Sequence, residues 1–304
     1  MSGGYTHITL VQLAIEKAIS INEGPLHKDA KLALGYWKKF CIVGAIAPDY
    51  PYLDILDTNS SKWADAMHKH SAVALLRKGV SEASHISDDN IRQKCIAWLF
   101  GFASHIATDG TIHPVVNLKV GPYEQNKTEH RRCEMSQDVF AHKELNIGAV
   151  EHNRQISTNI TDSSDSENQD LMDPDIAKLW QDLLMDVYTG LPTPRIHDWH
   201  RAMGRMIQIA QSGNVLFPFA RHVAANLGLV YPENPEMDCI VNLTVPGGST
   251  MHFADILDKA LANILELWGW MALSLQNQDS QLNTLVSWSL DTGIDENGRM
   301  TYWS

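Results

Sequence analysis

The segment GFASHIATDGTIHPVVN, residues 101–117, constrains the fold more than any other part of the sequence. It is largely apolar, yet it carries His105, Asp109 and His113 at intervals of four residues. Steps of four residues along a helix advance the side-chain direction by only about 40° each, so the three side chains share one face. Buried imidazoles and carboxylates need polar partners. The segment therefore predicts a buried helix whose polar face meets other polar groups.

Most of the remaining chain also shows apolar residues at helical intervals. The predicted helices are 8–19, 28–47, 61–79, 87–110, 128–145, 173–190, 195–212, 216–228 and 252–276. We expect Pro48, Gly79 and Gly110 to end the second, third and fourth of these. Pro174 is expected at the first position of the sixth. The sequence shows no internal repeat and no alternation of strands with helices, so it predicts an all-α, multi-helix domain.

Three segments are expected to lie outside the helices. Residues 153–170 are polar and acidic with few large apolar residues, which predicts an exposed loop within a single domain spanning 1–304. VPGGST, residues 245–250, predicts a turn before the last long helix. DENGR, residues 295–299, predicts a short hairpin in the tail.

The charge balance argues against several classes of function. The formal net charge is −12, whereas binding to long nucleic acids or to anionic membranes needs a basic surface. A bound metal ion would still attract an anionic substrate. The sequence has no apolar run of about 18 residues and no recognisable export signal, so we expect a soluble protein without a membrane span. The expected location is the cytoplasm, or outside the cell if a signal peptide has been removed.

The spacing within residues 101–117 is that of metal ligands. A histidine and a carboxylate at positions i and i+4 of a helix can bind one metal ion. A carboxylate between two such histidines can bind two ions, one through each oxygen. Asp109 would then bridge two ions, with His105 on one and His113 on the other. The four cysteines have no CxxC spacing, which argues against a cysteine-based zinc ribbon.

Further potential ligands occur elsewhere in the first half of the chain. They are His7, Asp49, His68 and the pair His130 and Glu134. Each of them also has an ordinary structural explanation. Asp49 could be a turn residue after Pro48, His7 a surface histidine, and the i,i+4 pair a solvated helix face. The spacing alone leaves both interpretations open.

Several segments resemble, in the same order, those of the zinc-dependent phospholipase C family. They are THITLVQLAIEKA, GAIAPDYPYLD, WADAMHKH, WLFGFASHIATDGTIHP and EHRRCE. Together they cover about the first 145 residues. The resemblance extends to the N-terminal domain of glycosylphosphatidylinositol-specific phospholipase D and, more distantly, to fungal single-strand-specific nucleases. The C-terminal half adds only compatible helices.

The resemblance implies an all-helical domain that binds two or three zinc ions. The ligands implied for one ion are Asp49, His68, His105 and Asp109. Those implied for a second ion are Asp109, His113, His130 and Glu134. His7 would help to hold a third ion together with the N-terminal amine, although six residues precede it here. Asp49 would also be catalytic, by orienting or deprotonating the nucleophile, and His70 is a weaker alternative to His68.

The activity implied is hydrolysis of a phosphodiester by a metal-bound hydroxide. The protein would be a phospholipase C-like hydrolase whose substrate is a phospholipid or another phosphodiester, with transient contact at a membrane surface. Three other interpretations stay open. They are a nuclease-like or small-molecule phosphodiesterase, a metal-binding protein without a hydrolytic role, and the same site repurposed for an intracellular biosynthetic reaction.

Overall fold

A computed structural model describes residues 3–20, 26–69, 71–144, 149–213 and 231–303 of the chain. Within these ranges nearly all regular structure is helical, which confirms the predicted all-α class. The helices are α1 (Gly4–Ser20), α2 (Lys28–Tyr36), α3 (Lys38–Gly44), α4 (Tyr50–Leu53), α5 (Thr58–His68), α6 (Ala72–Ser84), α7 (Asp89–Val120), α8 (Lys127–Glu144), α9 (Ala149–Asp162), α10 (Pro174–Val187), α11 (Ile196–Gly213) and α12 (Phe253–Leu275). The helix predicted over 216–228 and the alternative ligand His70 lie outside the described residues.

Helix α7 is the centre of the molecule. Every residue from Cys95 to Val116 is buried, and α1, α2, α3, α6 and α12 pack around it. A helix that is apolar on all sides has to be surrounded by other elements, so the predicted buried segment is confirmed. The helix begins at a cap formed by Asp88, whose side chain accepts from the backbone N–H groups of Asn90 and Ile91. Neither α7 nor any other described helix is long and apolar enough to cross a membrane.

Helix α7 continues to Val120, although the sequence predicted an end near Gly110. Gly110 instead allows another element to approach, because a Cβ there would lie 2.6 Å from Nε1 of Trp288. Pro114 lies inside the helix and has no N–H to donate to the carbonyl of Gly110. Gly293 packs at this position, and a Cβ on it would lie 2.5 Å from Cγ of Pro114.

Two other predicted helices are divided in the structure. The segment 28–47 forms α2 and α3, which are separated at Trp37. The segment 61–79 forms parts of α5 and α6, and Gly79 lies inside α6 instead of ending a helix. A Cβ at Gly79 would lie 2.5 Å from Cδ2 of Leu99 on α7. This glycine is needed for close packing between helices.

The predicted loop over residues 153–170 is wrong in its first part. Helix α9 continues to Asp162, and irregular structure follows only from Ser163. Ile156 and Ile160 are one turn apart and buried, and α9 packs against α3 and α11. Two apolar residues at i and i+4 anchor a helix whose other faces are polar. The low average hydrophobicity of the segment concealed this pattern.

Helices α3 and α7 cross with their backbones in contact. A Cβ at Gly101 would overlap the carbonyl oxygen of Cys41, and a Cβ at Gly44 would overlap that of Trp98. Glycine is required at both positions because any side chain would separate the helices. The contact brings the carbonyl of Ala45, which follows α3, against α7.

The short non-helical parts follow the predicted turns. Strands β1 (Leu243–Thr244) and β2 (Thr250–Met251) form an antiparallel hairpin around the VPGGST turn. In the C-terminal tail, which we define as residues 286–303, Ile294 pairs with Met300 across the DENGR turn.

Candidate metal centre

Six of the eight predicted ligands meet at one face of α7. Helix α7 supplies three of them, and the other three come from α1, from the turn before α4 and from the end of α5. All six are buried. In chain order they are His7, Asp49, His68, His105, Asp109 and His113.

The two carboxylate oxygens of Asp109 face different histidines. Oδ2 lies 3.1 Å from Nε2 of His105 and 3.6 Å from Nε2 of His68. Oδ1 lies 3.2 Å from Nε2 of His7 and 3.2 Å from Nε2 of His113. Adjacent ligands of a tetrahedral zinc ion are about 3.3 Å apart when the bonds have their usual lengths. Each oxygen therefore lies where it can share an ion with two imidazoles.

Two sets of three ligand atoms could each hold a metal ion. His7, His105 and Asp109 form one set, and Asp49, His68 and His105 form the other, with the atoms of each set within 4.8 Å of one another. Oδ1 of Asp49 lies 3.3 Å from Nε2 of His68. The rings of His7 and His105 are stacked, with centroids 4.1 Å apart. His7 is thus a central member of the cluster, whereas the resemblance placed it with a third ion.

Backbone carbonyls fix the orientation of three of the imidazoles. Nδ1 of His68, of His105 and of His113 each donates to a carbonyl oxygen, which can only accept a hydrogen bond. The acceptors are Ala64 at 2.7 Å, Ala45 at 2.9 Å and Leu290 at 2.6 Å, respectively. Nε2 is therefore the nitrogen that each ring presents to the centre, as in metal-bound histidines.

The nitrogen atoms at the centre need a cation between them. Nε2 of His68 and Nε2 of His105 are 3.2 Å apart, and two lone pairs at that distance repel unless a proton or a metal ion lies between them. Both ring nitrogens of His7 and Nε2 of His113 make no well-aligned hydrogen bond with any described residue. Unsatisfied buried polar atoms are costly. Their convergence at one point fits a metal ion.

The histidines keep the two carboxylates ionised. Burial alone would raise the pKa of Asp109, but electrostatic attraction and hydrogen bonding from the surrounding imidazoles hold that pKa well below its usual range. The pKa of Asp49 is lowered in the same way, by His105 and His68, against the effect of burial. Ionised carboxylates are the form that binds a metal.

The histidines themselves differ in protonation. Burial lowers the pKa of His7, and it lowers that of His113 to about 4. For His105 the carboxylates of Asp109 and Asp49 outweigh burial and raise the pKa. His7 and His113 therefore offer lone pairs at pH 7, while at His105 a metal ion competes more strongly with a proton.

The predicted ligands His130 and Glu134 pair with each other on α8, and the charge of Glu134 acts on His113 of the cluster. Their closest atoms, Nδ1 and Oε1, are 3.3 Å apart, while Nε2 of His130 donates to the carbonyl of Gly121 at 2.7 Å. Among the residues the structure describes, neither belongs to a set of three ligand atoms. Because Nε2 carries the donated proton, Nδ1 faces the carboxylate and needs a proton or a cation there.

Asp138 is a site residue that the sequence interpretation missed. Its Oδ1 accepts from both N and Oγ1 of Thr6 at 2.8 Å, and its Oδ2 accepts from the hydroxyl of Tyr231 at 2.7 Å. It therefore caps the start of α1, one residue before His7. Burial raises the pKa of Asp138 to about 6, against the effect of these hydrogen bonds. A signal was present, because Asp138 continues the four-residue spacing of His130 and Glu134.

One family model matches more than half of the chain. Its description is zinc dependent phospholipase C, and it matches residues 6–190. No curated protein and no solved structure matches the chain. The matched range contains all eight predicted ligands and ends well before the tail that supplies the carbonyl of Leu290.

Proposed function

The chain belongs to the zinc-dependent phospholipase C family, and we propose that it hydrolyses a phosphodiester with zinc ions held on the buried face of α7. The observation that carries this proposal is the orientation of Asp109, whose two oxygens face two different pairs of imidazoles. A carboxylate shared in this way is suited to a site with two metal ions.

We assign two ions to the six clustered ligands. The first would be held by Asp49, His68, His105 and Oδ2 of Asp109. The second would be held by His7, His113 and Oδ1 of Asp109. His130 and Glu134 offer Nδ1 and Oε1 for a third ion. When bound, zinc supplies Lewis-acid activation of water and of the phosphoryl oxygens.

The role of Asp49 follows from its ionisation. The lowered pKa makes its carboxylate a weak base at neutral pH. Its Oδ1 is buried 3.3 Å from Nε2 of His68 and makes no well-aligned hydrogen bond with any residue that the structure describes, so it can bind a metal ion but accepts a proton from a bound nucleophile only weakly. We therefore assign Asp49 to metal binding and to orienting the nucleophile, and not to storing the proton that the nucleophile loses.

The proposed substrate is a phospholipid, the class of molecule after which the family is named. The ligand set includes two carboxylates and four imidazoles, so two dications leave a positive centre inside a protein of net charge −12. Such a centre attracts the anionic phosphodiester locally despite the acidic surface. A nucleotide or another small phosphodiester would meet the same field and is the alternative that a substrate comparison has to separate.

The test begins with the metal content of purified protein, measured by elemental analysis, and continues with a comparison of substrates. These are phosphatidylcholine vesicles, p-nitrophenyl phosphorylcholine and bis-p-nitrophenyl phosphate. We expect at least two zinc ions per chain and cleavage that a chelator abolishes and added zinc restores. Zinc-loaded protein that cleaves none of the three would contradict phosphodiester hydrolysis. Cleavage of bis-p-nitrophenyl phosphate alone would favour the small-molecule alternative.

A matched pair of histidine variants tests the site. Nδ1 of His68 and Nδ1 of His85 each lie 2.7 Å from the carbonyl four residues earlier, at the end of a helix. Only His68 is in the cluster. His85 lies at the surface and contacts Ser81 and Ser84. We expect His68→Gln to lose zinc and activity and His85→Gln to keep both. Equal losses in the two variants would contradict the assignment.

A further inference from the structure

One residue of the C-terminal tail contacts two of the proposed ligands. The N–H of Leu290 donates to the carbonyl oxygen of His68 at 2.8 Å. The carbonyl oxygen of Leu290 accepts from Nδ1 of His113 at 2.6 Å. Leu290 is fully buried. His68 and His113 face opposite oxygens of Asp109, so the backbone of a single residue connects the two sides of the metal centre.

The tail is fixed to α7 on both sides of Leu290. Nδ2 of Asn117 donates to the carbonyl of Asp291 at 2.7 Å, and Nε1 of Trp303 donates to the carbonyl of Thr111 at 2.9 Å. Trp288 is buried and packs against Gly110. These contacts hold the tail on the same helix that carries His105, Asp109 and His113. The position of Leu290 relative to the ligands is thereby set by the fold.

We propose that Leu290 is a positioning residue for the metal centre, and that the docked tail is required for tight zinc binding. Its carbonyl keeps the proton of His113 on Nδ1, so that Nε2 faces the metal position. Its N–H donates to the carbonyl of His68 at the end of α5. This bond fixes the position of His68 relative to His113. Loss of such outer partners weakens metal binding roughly 10- to 100-fold. The inference depends on the proposed zinc centre, but it concerns a segment outside the matched range 6–190.

Two glycines of the tail provide a matched test. Gly293 and Gly298 both have positive φ, +69° and +77°, so alanine introduces similar backbone strain at either position. A Cβ at Gly293 would lie 2.5 Å from Cγ of Pro114 and 2.9 Å from the carbonyl oxygen of Gly110. A Cβ at Gly298 would meet nothing within 4 Å. Gly293→Ala therefore separates the tail from α7, and Gly298→Ala controls for strain.

The experiment measures zinc affinity by competition with a chromophoric chelator, and the visible spectrum of the cobalt-substituted protein. Hydrogen exchange of the tail reports whether it has left α7. We expect Gly293→Ala to increase exchange in the tail, to weaken zinc binding at least about 10-fold and to change the cobalt spectrum, while Gly298→Ala resembles the wild type. Unchanged zinc affinity in Gly293→Ala with a displaced tail would overturn the inference.

A milder variant covers the case in which Gly293→Ala does not fold. Asn117→Ala removes only the bond to the carbonyl of Asp291, and we expect a smaller loss of zinc affinity in the same direction. No loss, with increased exchange in the tail, would again overturn the inference. Wild-type protein that binds no zinc would refute the proposed centre itself. Wild-type protein that binds zinc without cleaving a phosphodiester would refute the proposed activity and leave the role of Leu290 intact.

Discussion

Asp109 is the side chain on which both proposed ion positions depend. Asp109→Asn removes a negative charge that offsets two dications and leaves only one oxygen that can bind a metal. We expect this variant to lose both ions, whereas His7→Ala removes one ligand and keeps the ion at Asp49 and His68. Elemental analysis should give close to zero and about one zinc, respectively. Asp138→Asn alters an equally buried carboxylate whose oxygens accept from Thr6 and Tyr231. Because this side chain caps α1 beside His7, the variant should keep at least the ion at Asp49 and His68, and a zinc content close to zero would contradict the assignment.

At this scale the sequence predicted the six side chains that cluster in the structure but not the groups that orient them. His105, Asp109 and His113 could be found because their spacing is that of a helix face. The carbonyl groups of Ala45 and Leu290 could not, since every residue has a carbonyl and only the fold decides which one lies beside an imidazole. The central place of His7 was missed for the same reason, because the capping contact of Asp138 with Thr6 is long-range.

Among the helices, the contact of α3 with α7 provides the clearest prediction. Gly101→Ala places a methyl group against the carbonyl of Cys41, and we expect it to lower the free energy of unfolding by about 2–3 kcal/mol. The control is Gly35→Ala in α2, where a Cβ meets nothing within 4 Å. It should raise stability by roughly 0.5–1 kcal/mol, since alanine favours the helix. Urea unfolding measures both, and equal effects would contradict tight packing at Gly101.

The helices could be predicted from their periodicity, but their ends could not. Gly79 and Gly110 are typical of helix ends in a sequence, yet each lies within a helix at a point of close packing. A single sequence does not distinguish a glycine that ends a helix from one that lets another element approach. Pro114 lies inside α7 at the point where the tail packs against it, and this contact involves residues far apart in the chain.

Buried neutral histidines make the whole molecule sensitive to acid. Nε2 of His200 donates to the hydroxyl of Ser164 at 2.8 Å, and burial lowers the pKa of His200 to about 4. The unfolded chain binds this proton near pH 6.5, so stability is lost as the pH falls from 6.5 towards 4. One such group removes about 2 kcal/mol between pH 7 and 5. His113 adds to the effect in metal-free protein.

Urea unfolding of metal-free protein at pH 7 and pH 5 measures this loss. His200→Gln should reduce the difference in free energy between the two pH values by about 2 kcal/mol. The exposed His85 serves as the control, since His85→Gln should leave the difference unchanged. If the free energy of unfolding falls as much between pH 7 and pH 5 in His200→Gln as in the wild type, other groups account for the acid sensitivity.

The bond between His113 and Leu290 joins residues 177 positions apart, and this separation has a consequence for biosynthesis. A ribosome has added all six clustered ligands by residue 113, but Leu290 follows only after roughly 10 to 35 seconds at ordinary rates of translation. During that interval the nascent chain lacks the carbonyl that fixes the tautomer of His113. Tight retention of zinc would then require a polypeptide synthesised at least as far as the tail, and a chain released before Leu290 would carry all six clustered ligands and still lose its metal more readily.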